Sequence, residues 1–406
     1  MAVVVWLGLA GYGAFHNPIA SSEEAQKITF ASWVGQQPLR ETFFNIHEEF
    51  GHYCIFQVLT YAVTKLLDLA SLDQFLIIAR ALNIIFGLLS VFILRFIFYQ
   101  NFSRSNPDYL SILTLFHPLF FFYSMQAEEY ALFLFFSTLQ LWAYLDFGKS
   151  RFAPIIFLVA SVFGYYTSLL FLVLLGAECL TEIIKCFQIK RISIWPFLIA
   201  GLLAINVLSQ ATNLLSAHWS LNSALPYINY YDEFSPVNLF SYLNILGAFW
   251  GITPLFFIPP ALIMLTILLV GYSFYTLWLE HRKIPVVFGV YYCLLFFVFF
   301  VWNSWAAFAS FLYPVSMRYF LPLAFLNILI LFGQQFTKTK IWLAICLLAV
   351  FITTNILIIG RPYNMLVRGW LDEQIADNHS YFVLIIFSAR RAVSIAFFLI
   401  LLTLPL

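Results

Sequence analysis

The chain has 406 residues, of which 63% are hydrophobic, 20% are aromatic and only 10% are charged. Soluble globular domains carry about 25% charged residues, so this composition excludes an ordinary soluble domain and indicates a protein surrounded by lipid. The formal net charge of +1 disfavours a nucleic-acid partner, which would require a strongly basic surface. We therefore expect an all-α, polytopic transmembrane protein with about 11–13 spans.

Long apolar runs predict where the chain crosses the membrane. A helical span needs about 20 apolar residues, and shorter runs suffice where the protein itself covers the helix. The candidates, in chain order, are residues 2–15, 79–99, 109–125, 130–147, 153–167, 168–184, 193–215, 253–277, 286–303, 319–334, 341–359 and 381–405. The run 52–69 is also apolar, but it contains Lys65 and Asp68, which leaves its crossing ambiguous.

The charges in the connections predict the orientation. Basic clusters occur at Arg95 with Arg104, Lys149 with Arg151, Lys185 with Lys190 and Arg191, Arg282 with Lys283, and Lys338 with Lys340. Alternate connections hold acids: Glu23 and Glu24, Glu128 and Glu129, Asp232 and Glu233. Basic connections lie in the cytoplasm, and all five clusters do so only if 52–69 does not cross the bilayer. We therefore expect a juxtamembrane or re-entrant helix at 52–69, inside an outer loop over 16–78.

The domain organisation expected from these spans is simple. Residues 1–406 form a single transmembrane domain, with an N-terminal module over about 1–215 and C-terminal spans over 253–406. The substantial loops at 16–78 and 216–252 fall on the outer side, where loops commonly carry binding and catalytic residues. We therefore expect a multi-pass protein of the plasma (inner) membrane with its site on the extracytoplasmic face.

The first outer loop begins with two acids in the stretch SSEEAQ, Glu23 and Glu24. One interpretation is structural: Ser21 or Ser22 caps a helix whose first turn holds the acids, where the helix dipole favours negative charge. The other interpretation is functional, with one carboxylate facing a membrane-level cavity as a base or metal ligand. Ionisable groups at that depth are costly and tend to be functional.

Further along the loop, the stretch HEEFGH offers a candidate metal site. Glu48 and His52 are four residues apart and therefore share a helical face. That spacing suits a divalent metal ion or a hydrogen-bonded acid–base pair, while a solvated start of an interfacial helix is the alternative. A divalent metal ion is the only cofactor that the sequence suggests, since the five cysteines show no metal-ligand spacing.

Two arginines on the outer side are candidate ligands for a lipid phosphate. Arg80 lies in IARALNIIFG near the outer end of a span, and Arg318 precedes Tyr319 at the outer start of another. Each guanidinium either reaches out to the lipid–water interface or clamps a phosphate with its planar fork of donors. Both interpretations remain open from the sequence.

The stretch SMQAEEYALF places two adjacent carboxylates, Glu128 and Glu129, between two long apolar runs. A soluble fold does not need long apolar runs on both sides of a pair of charged residues. Acids at the mouth of a span are a functional-site hypothesis by default.

Five short motifs occur in a fixed order along the chain. They are EEA at 23–25, HEEFGHY at 47–53, IARALNIIFGLLSV at 78–91, PLFFFYSMQAEEYALFLFF at 118–136 and RYFLPLAF at 318–325. In that order they resemble the DEA, HPPLYY, ALRLPSALFGLLSV, PLLLYSQEARPYALLLL and RYLLPLLP motifs of glycosyltransferase family 39. Relatives of this family in the C-type superfamily include protein O-mannosyltransferases and the bacterial aminoarabinose transferases of lipid A. The resemblance covers roughly residues 10–145 and 314–335.

The resemblance implies an integral membrane glycosyltransferase with a C-type fold and a helical first outer loop. Its donor would be a polyprenyl-phosphate-linked sugar, and its acceptor an extracytoplasmic glycan, lipid or protein. It implies that Glu23 is the catalytic carboxylate, with Glu24 in support. The remaining residues implied to bind substrate or its phosphate are Arg80, Arg318, Tyr319, Tyr130, Glu128 and Glu129.

The motifs also depart from the family pattern. The family's Glu and Arg of QEARPY are Gln126 and Glu128 here, and Glu23 replaces the family's Asp with a side chain longer by one methylene. Two alternatives from other classes stay open: a multi-span transporter or flippase, which also buries ionisable residues, and a non-catalytic membrane assembly factor.

Overall fold

A computed structural model describes residues 1–16, 55–67, 71–101, 107–168, 171–189, 192–205 and 338–359, with isolated positions at 275, 286, 287, 289–291, 294 and 328. Every regular element in these ranges is helical, which confirms the all-α class for this part of the chain. The helices are α1 (Ala2–His16), α2 (Ile55–Leu66), α3 (Leu72–Asn101), α4 (Pro107–Phe116), α5 (Pro118–Ser124), α6 (Tyr130–Leu145), α7 (Ala153–Thr167), α8 (Phe171–Ile189) and α9 (Lys338–Ile359). Residues Trp195–Ile205 are helical as well.

Helix α3 is the longest described helix, with 30 residues and a length of about 45 Å. Within it, Gln74–Asn101 is long and apolar enough to cross a membrane by length and composition, and it alone among the described residues meets that test. The hydrocarbon core of a bilayer is about 30 Å thick, so α3 exceeds the minimum for one crossing. Shorter apolar helices include α1, α2, α6 and α7.

The predicted spans 79–99, 130–147, 153–167 and 341–359 coincide with helices α3, α6, α7 and α9. Helix α6 stops at Leu145 because a turn with a left-handed glycine follows it, with Gly148 at φ 84°. Helix α8 is displaced from the predicted span 168–184 toward the C-terminus. Most or all of the predicted spans 253–277, 286–303, 319–334 and 381–405 lie outside the described residues.

The prediction of one continuous span over 109–125 is wrong. Helix α4 ends at Phe116, His117 is extended at φ −57° and ψ 124°, and α5 starts at Pro118. A proline disfavours helical backbone in the residue before it, so the helix is interrupted at His117. The buried carbonyl of Phe116 accepts a 2.9 Å hydrogen bond from Asn355 Nδ2 of α9, which satisfies a backbone group that the break would otherwise leave unpaired.

Helices α1 and α4 run antiparallel to α3 and α6 runs parallel to it, and charged residues lie toward the two ends of this bundle. At one end Arg95 of α3 pairs with Asp108 of α4 at 2.7 Å, and Gln100 accepts a 3.2 Å bond from Trp142 of α6. At the other end Asn83 of α3 binds the turn that joins α5 to α6. We call these the basic end and the acidic end. Of the described residues in the predicted charge clusters, Arg95, Lys149, Arg151 and Lys185 belong to the first, and Glu128 and Glu129 to the second. Arg80 is a basic residue at the second end.

Helix α2 lies at the acidic end. Its Phe56 and Tyr61 belong to one apolar cluster with Phe75 and Ala79 at the start of α3, and with Ala127 and Leu132 around the start of α6. Its buried face also carries Gln57, Thr60 and Thr64, and both threonines donate to carbonyls within the helix. The run 52–69 thus contains a helix that packs beside the acidic end with a partly polar buried face.

The described helices reverse the usual polarity of a soluble fold. Large apolar side chains are exposed on several helices, among them Val4 and Phe15 on α1, Phe92 and Phe96 on α3, Ile155 and Phe163 on α7, and Leu198 and Leu202 beyond α8. Polar and charged side chains are buried inside instead, including Arg80, Asn83, Gln140 and Glu178.

Candidate functional site

The structure brings several of the predicted site residues together at the acidic end. Arg80, Glu128, Glu129 and Tyr130 all lie there and all are buried. The other predicted site residues lie outside the described part of the chain: Glu23, Glu24, Glu48, His52, Arg318 and Tyr319. The described half of the site therefore consists of the end of α1, the start of α3 and the turn before α6.

Arg80 joins α3 to the end of α1. Its Nη1 donates a 2.6 Å hydrogen bond to the carbonyl of Ala14, and the residue is only 2% exposed. The last carbonyls of a helix lack partners within the helix and form its negative pole, so a guanidinium is a fitting ligand there. The side chain does not extend to an exposed surface, as the interfacial interpretation requires. The phosphate role of Arg80 stays a prediction from the sequence.

Asn83 holds the turn between α5 and α6 against α3. Its Nδ2 donates to the carbonyls of both Gln126 and Glu128, and Asn83 is fully buried. Asn83 lies three residues after Arg80 and therefore on the same face of α3. One helical face thus anchors two separate segments of chain, α1 through Arg80 and the turn through Asn83.

Glycine at position 87 permits the close approach of α3 and α5. A Cβ at Gly87 would lie 2.7 Å from Ser124 Oγ and 3.1 Å from the Phe120 ring. A side chain there would push α5 away and move the turn that follows it. Asn83 and Gly87 are four residues apart, so one face of α3 sets the position of Glu128 and Glu129.

The two carboxylates of the turn are buried, Glu128 at 2% exposure and Glu129 at 8%. Glu129 is the N-terminal capping residue of α6, and its carbonyl accepts a 2.8 Å bond from the Phe133 N–H. An acid at this position is stabilised by the positive pole of the helix. Beside it the ring of Tyr130 meets the edge of Tyr123 at 5.1 Å between centroids. The acids are therefore part of the packed interior at this end of the bundle.

The described residues contain no group of three or more His, Cys, Asp or Glu that could hold a metal ion. Glu48 and His52 lie outside those residues. The divalent metal ion therefore stays a prediction from the sequence, and no step below depends on it.

A second set of buried polar residues lies at the basic end, between α6 and α8. It comprises Gln140, Tyr144, Glu178, Glu182 and Lys185, and none of these is a candidate site residue predicted from the sequence. Glu182 Oε1 accepts a 2.6 Å bond from the Tyr144 hydroxyl and a bond from Lys185 Nζ, and its Oε2 accepts a 2.9 Å bond from the Ser193 N–H. The ammonium of Lys185 also lies 5.4 Å from the centre of the Tyr144 ring.

A signal for this second set was present in the sequence. Glu178 and Glu182 are four residues apart within the apolar stretch FLVLLGAECLTEIIK, so they share one face of a helix. The rule that singles out Glu128 and Glu129, that acids among apolar residues require an explanation, applies to this pair equally. Their partners on α6 depend on the packing of two helices, which the sequence pattern does not specify.

No protein-family model, no curated protein and no solved structure matches this chain.

Proposed function

We propose that the chain is a polytopic membrane glycosyltransferase that transfers a sugar from a polyprenyl-phosphate-linked donor to an extracytoplasmic acceptor. One observation carries the proposal. The segments that hold two of the family-like motifs, residues 78–91 and 118–136, meet at the acidic end through the bonds from Asn83 to Gln126 and Glu128, and the bond from Arg80 to Ala14 brings the end of α1 to the same place. A scattered set of chance similarities would have no reason to converge on one place.

The inverted polarity of the helices supports the membrane part of the proposal. Exposed apolar residues on α1, α3 and α7 form a surface that water would disfavour, whereas lipid would accept it. The buried polar residues pair with each other or with backbone carbonyls, as ionisable groups inside a membrane protein do. The separation of basic and acidic ends supports the orientation, with the acidic end outside and the basic end in the cytoplasm.

The proposed chemistry is a direct displacement at the sugar carbon with inversion. The prenyl tail of the donor stays in the bilayer, and its phosphate meets Arg80 and Arg318 at the outer end. Glu23 removes the proton of the acceptor hydroxyl as that oxygen attacks the sugar. The bond from the sugar to the phosphate oxygen breaks, and the arginines stabilise the departing phosphate. Glu128, Glu129 and Tyr130 lie at the same end and, in this proposal, help to orient the substrates.

The proposed base follows helix α1 closely in the sequence. Glu23 follows the last residue of α1, His16, by seven positions, and the bond from Arg80 ties α3 to the last turn of that helix. In this proposal Arg80 binds the phosphate in addition to the end of α1.

A transfer assay with the full-length chain in lipid vesicles tests the phosphate site. Labelled polyprenyl-phosphate sugars are the donors, and total envelope material supplies the acceptors. Arg80→Lys should raise KM for the donor roughly tenfold, about 1.4 kcal/mol, because one ammonium cannot reproduce a bidentate fork. Arg95→Lys at the exposed basic end is the control and should leave KM unchanged. Full transfer by both Arg80→Ala and Arg318→Ala would contradict the phosphate role.

One observation favours a transporter as the second candidate. Helices α4 and α5 form a discontinuous helix with the break at a buried His117, and broken helices of this kind line the substrate sites of many transporters. Uptake or counterflow of a labelled solute into vesicles, without any sugar transfer, would favour this candidate over the glycosyltransferase.

A further inference from the structure

Gln140 of α6 and Glu178 of α8 form a fully buried pair at the centre of the second polar set. Gln140 Nε2 donates a 2.8 Å hydrogen bond to Glu178 Oε2, and both residues are 0% exposed. Within the described part of the chain, the other oxygen of each group, Gln140 Oε1 and Glu178 Oε1, has no hydrogen-bond partner. The pair thus satisfies half of its hydrogen-bonding capacity.

The two unpartnered atoms are both oxygens. An amide oxygen and an ionised carboxylate oxygen are both acceptors only, so neither can satisfy the other. An unsatisfied buried acceptor costs about 1–3 kcal/mol, and an isolated buried charge costs more. One positively charged particle between the two groups would give both oxygens a partner and would neutralise the charge of the carboxylate.

The ammonium of Lys185 does not supply that positive charge, because it is bonded to the other acid, Glu182. Glu182 accepts bonds from three donors: the Lys185 ammonium, the Tyr144 hydroxyl and the Ser193 N–H. Three donors, one of them charged, favour an ionised Glu182. Glu178 receives a single neutral donor on one oxygen. The two acids lie four residues apart on α8 in opposite environments.

We propose that the Gln140–Glu178 pair is a binding site for one hydrogen ion. A hydronium ion supplies the proton: one of its O–H bonds breaks, an O–H bond forms at Glu178 Oε1, and a water molecule is left, so the carboxylate changes from a charge of −1 to neutral. The new O–H then donates to Gln140 Oε1, while Gln140 Nε2 continues to donate to Glu178 Oε2. The terminal torsions of Glu and Gln have broad minima, so the two planar groups can align to close this ring of two hydrogen bonds.

The site lies at the basic end and is therefore separate from the proposed glycosyl-transfer site. Described titratable groups on the elements packed around it are Tyr130 and Tyr144 on α6, Tyr165 and Tyr166 near the far end of α7, Cys179, Glu182, Lys185 and Cys186 on α8, and Tyr291 on a segment packed against α8. Among these, Lys185 and Glu182 carry opposite charges and are bonded to each other. The hydrogen ion on Glu178 thus leaves the whole set electrically neutral.

Glutamine at position 178 is the natural mimic of a protonated glutamate, because it is neutral and both donates and accepts. We expect Glu178→Gln to keep the thermal unfolding temperature of the purified full-length chain. The infrared difference spectrum between wild type and this variant at neutral pH should show one lost carbonyl band of a protonated carboxylic acid. Glu182→Gln is the matched control: it should lose no such band, and it should lower the unfolding temperature because Lys185 loses its charged partner.

Three outcomes would overturn the proposal. The first is the absence of a lost acid band in Glu178→Gln, which would mean that Glu178 is ionised. The second is failure of Glu178→Gln to fold while wild type folds, since a neutral pair predicts that this variant is tolerated. The third is stabilisation of wild type but not of Glu178→Gln by added sodium, potassium or magnesium chloride. That result would make the occupant a metal ion.

Discussion

The acidic end and the basic end of the bundle both bury polar side chains, but they use them differently. At the acidic end Arg80 and Asn83 donate to backbone carbonyls and thereby hold segments of chain in place. At the basic end Gln140, Tyr144 and Lys185 donate to the carboxylates of Glu178 and Glu182. The acidic end is built to position a turn and a loop, whereas the basic end is a closed set of side chains that joins two helices. We therefore expect a substrate site at the acidic end and a structural or ion-binding role at the basic end.

The largest effect on stability is expected from breaking the basic end at Glu182. Glu182→Ala removes the acceptor of three donors and leaves the ammonium of Lys185, only 16% exposed, without its partner. Removing one partner of a buried ion pair typically costs about 3–5 kcal/mol. Chemical or thermal unfolding of the purified protein in detergent would measure this loss.

The exposed ion pair of Arg95 with Asp108 provides the control, because its side chains are 52% and 65% exposed. Exposed pairs contribute about 0–1 kcal/mol, so Arg95→Ala should be nearly neutral. Equal losses for Glu182→Ala and Arg95→Ala would mean that the basic end is not a buried network.

A smaller loss is expected from breaking the acidic end at Asn83. Asn83→Leu has a similar size but leaves the buried carbonyls of Gln126 and Glu128 without their donor. We expect a loss of about 3 kcal/mol, together with reduced sugar transfer because the turn that carries Glu128 moves. Asn101→Leu on the same helix is the matched control, since Asn101 donates only to Ile97 within its own helix. An active, stable Asn83→Leu protein would show that the turn does not depend on this anchor.

The smallest of the three effects is expected from Gly87→Ala. The added methyl would meet Ser124 Oγ at 2.7 Å and the Phe120 ring at 3.1 Å, so α5 or these side chains must shift. We expect a loss of about 1–2 kcal/mol from overpacking. Gly8→Ala in α1, where nothing lies within 4 Å of the new Cβ, should instead gain up to about 1 kcal/mol of helix propensity. Stabilisation by both substitutions would contradict the close contact of α3 with α5.

Part of this architecture follows from the sequence because local patterns determine it. The apolar runs predict α3, α6 and α7, and the spacing of charges predicts which residues share an end of the bundle. The break at His117 was also predictable, since Pro118 disfavours helix in the residue before it, but the apolar run obscured that signal. Local rules alone were sufficient for these features.

The remaining features depend on contacts between distant segments. The bond from Arg80 to Ala14 joins residues 66 positions apart, and that from Gln140 to Glu178 joins residues 38 apart. A single sequence indicates that a buried arginine or glutamate needs a partner, but the packing of helices decides which one it finds. For this reason the acids of the turn could be singled out from the sequence, while the pairing of α6 with α8 could not.

The central claim is that sugar transfer occurs at the acidic end with Glu23 as the base. Glu23→Gln keeps the shape of the side chain and removes its charge and basicity, so expression and donor binding should survive. A general base contributes about 10²–10⁴-fold to a rate, and transfer from a labelled polyprenyl-phosphate sugar should fall by that factor. Glu24→Gln is the adjacent control and should lose less. Transfer by Glu23→Gln at the wild-type rate would contradict the account.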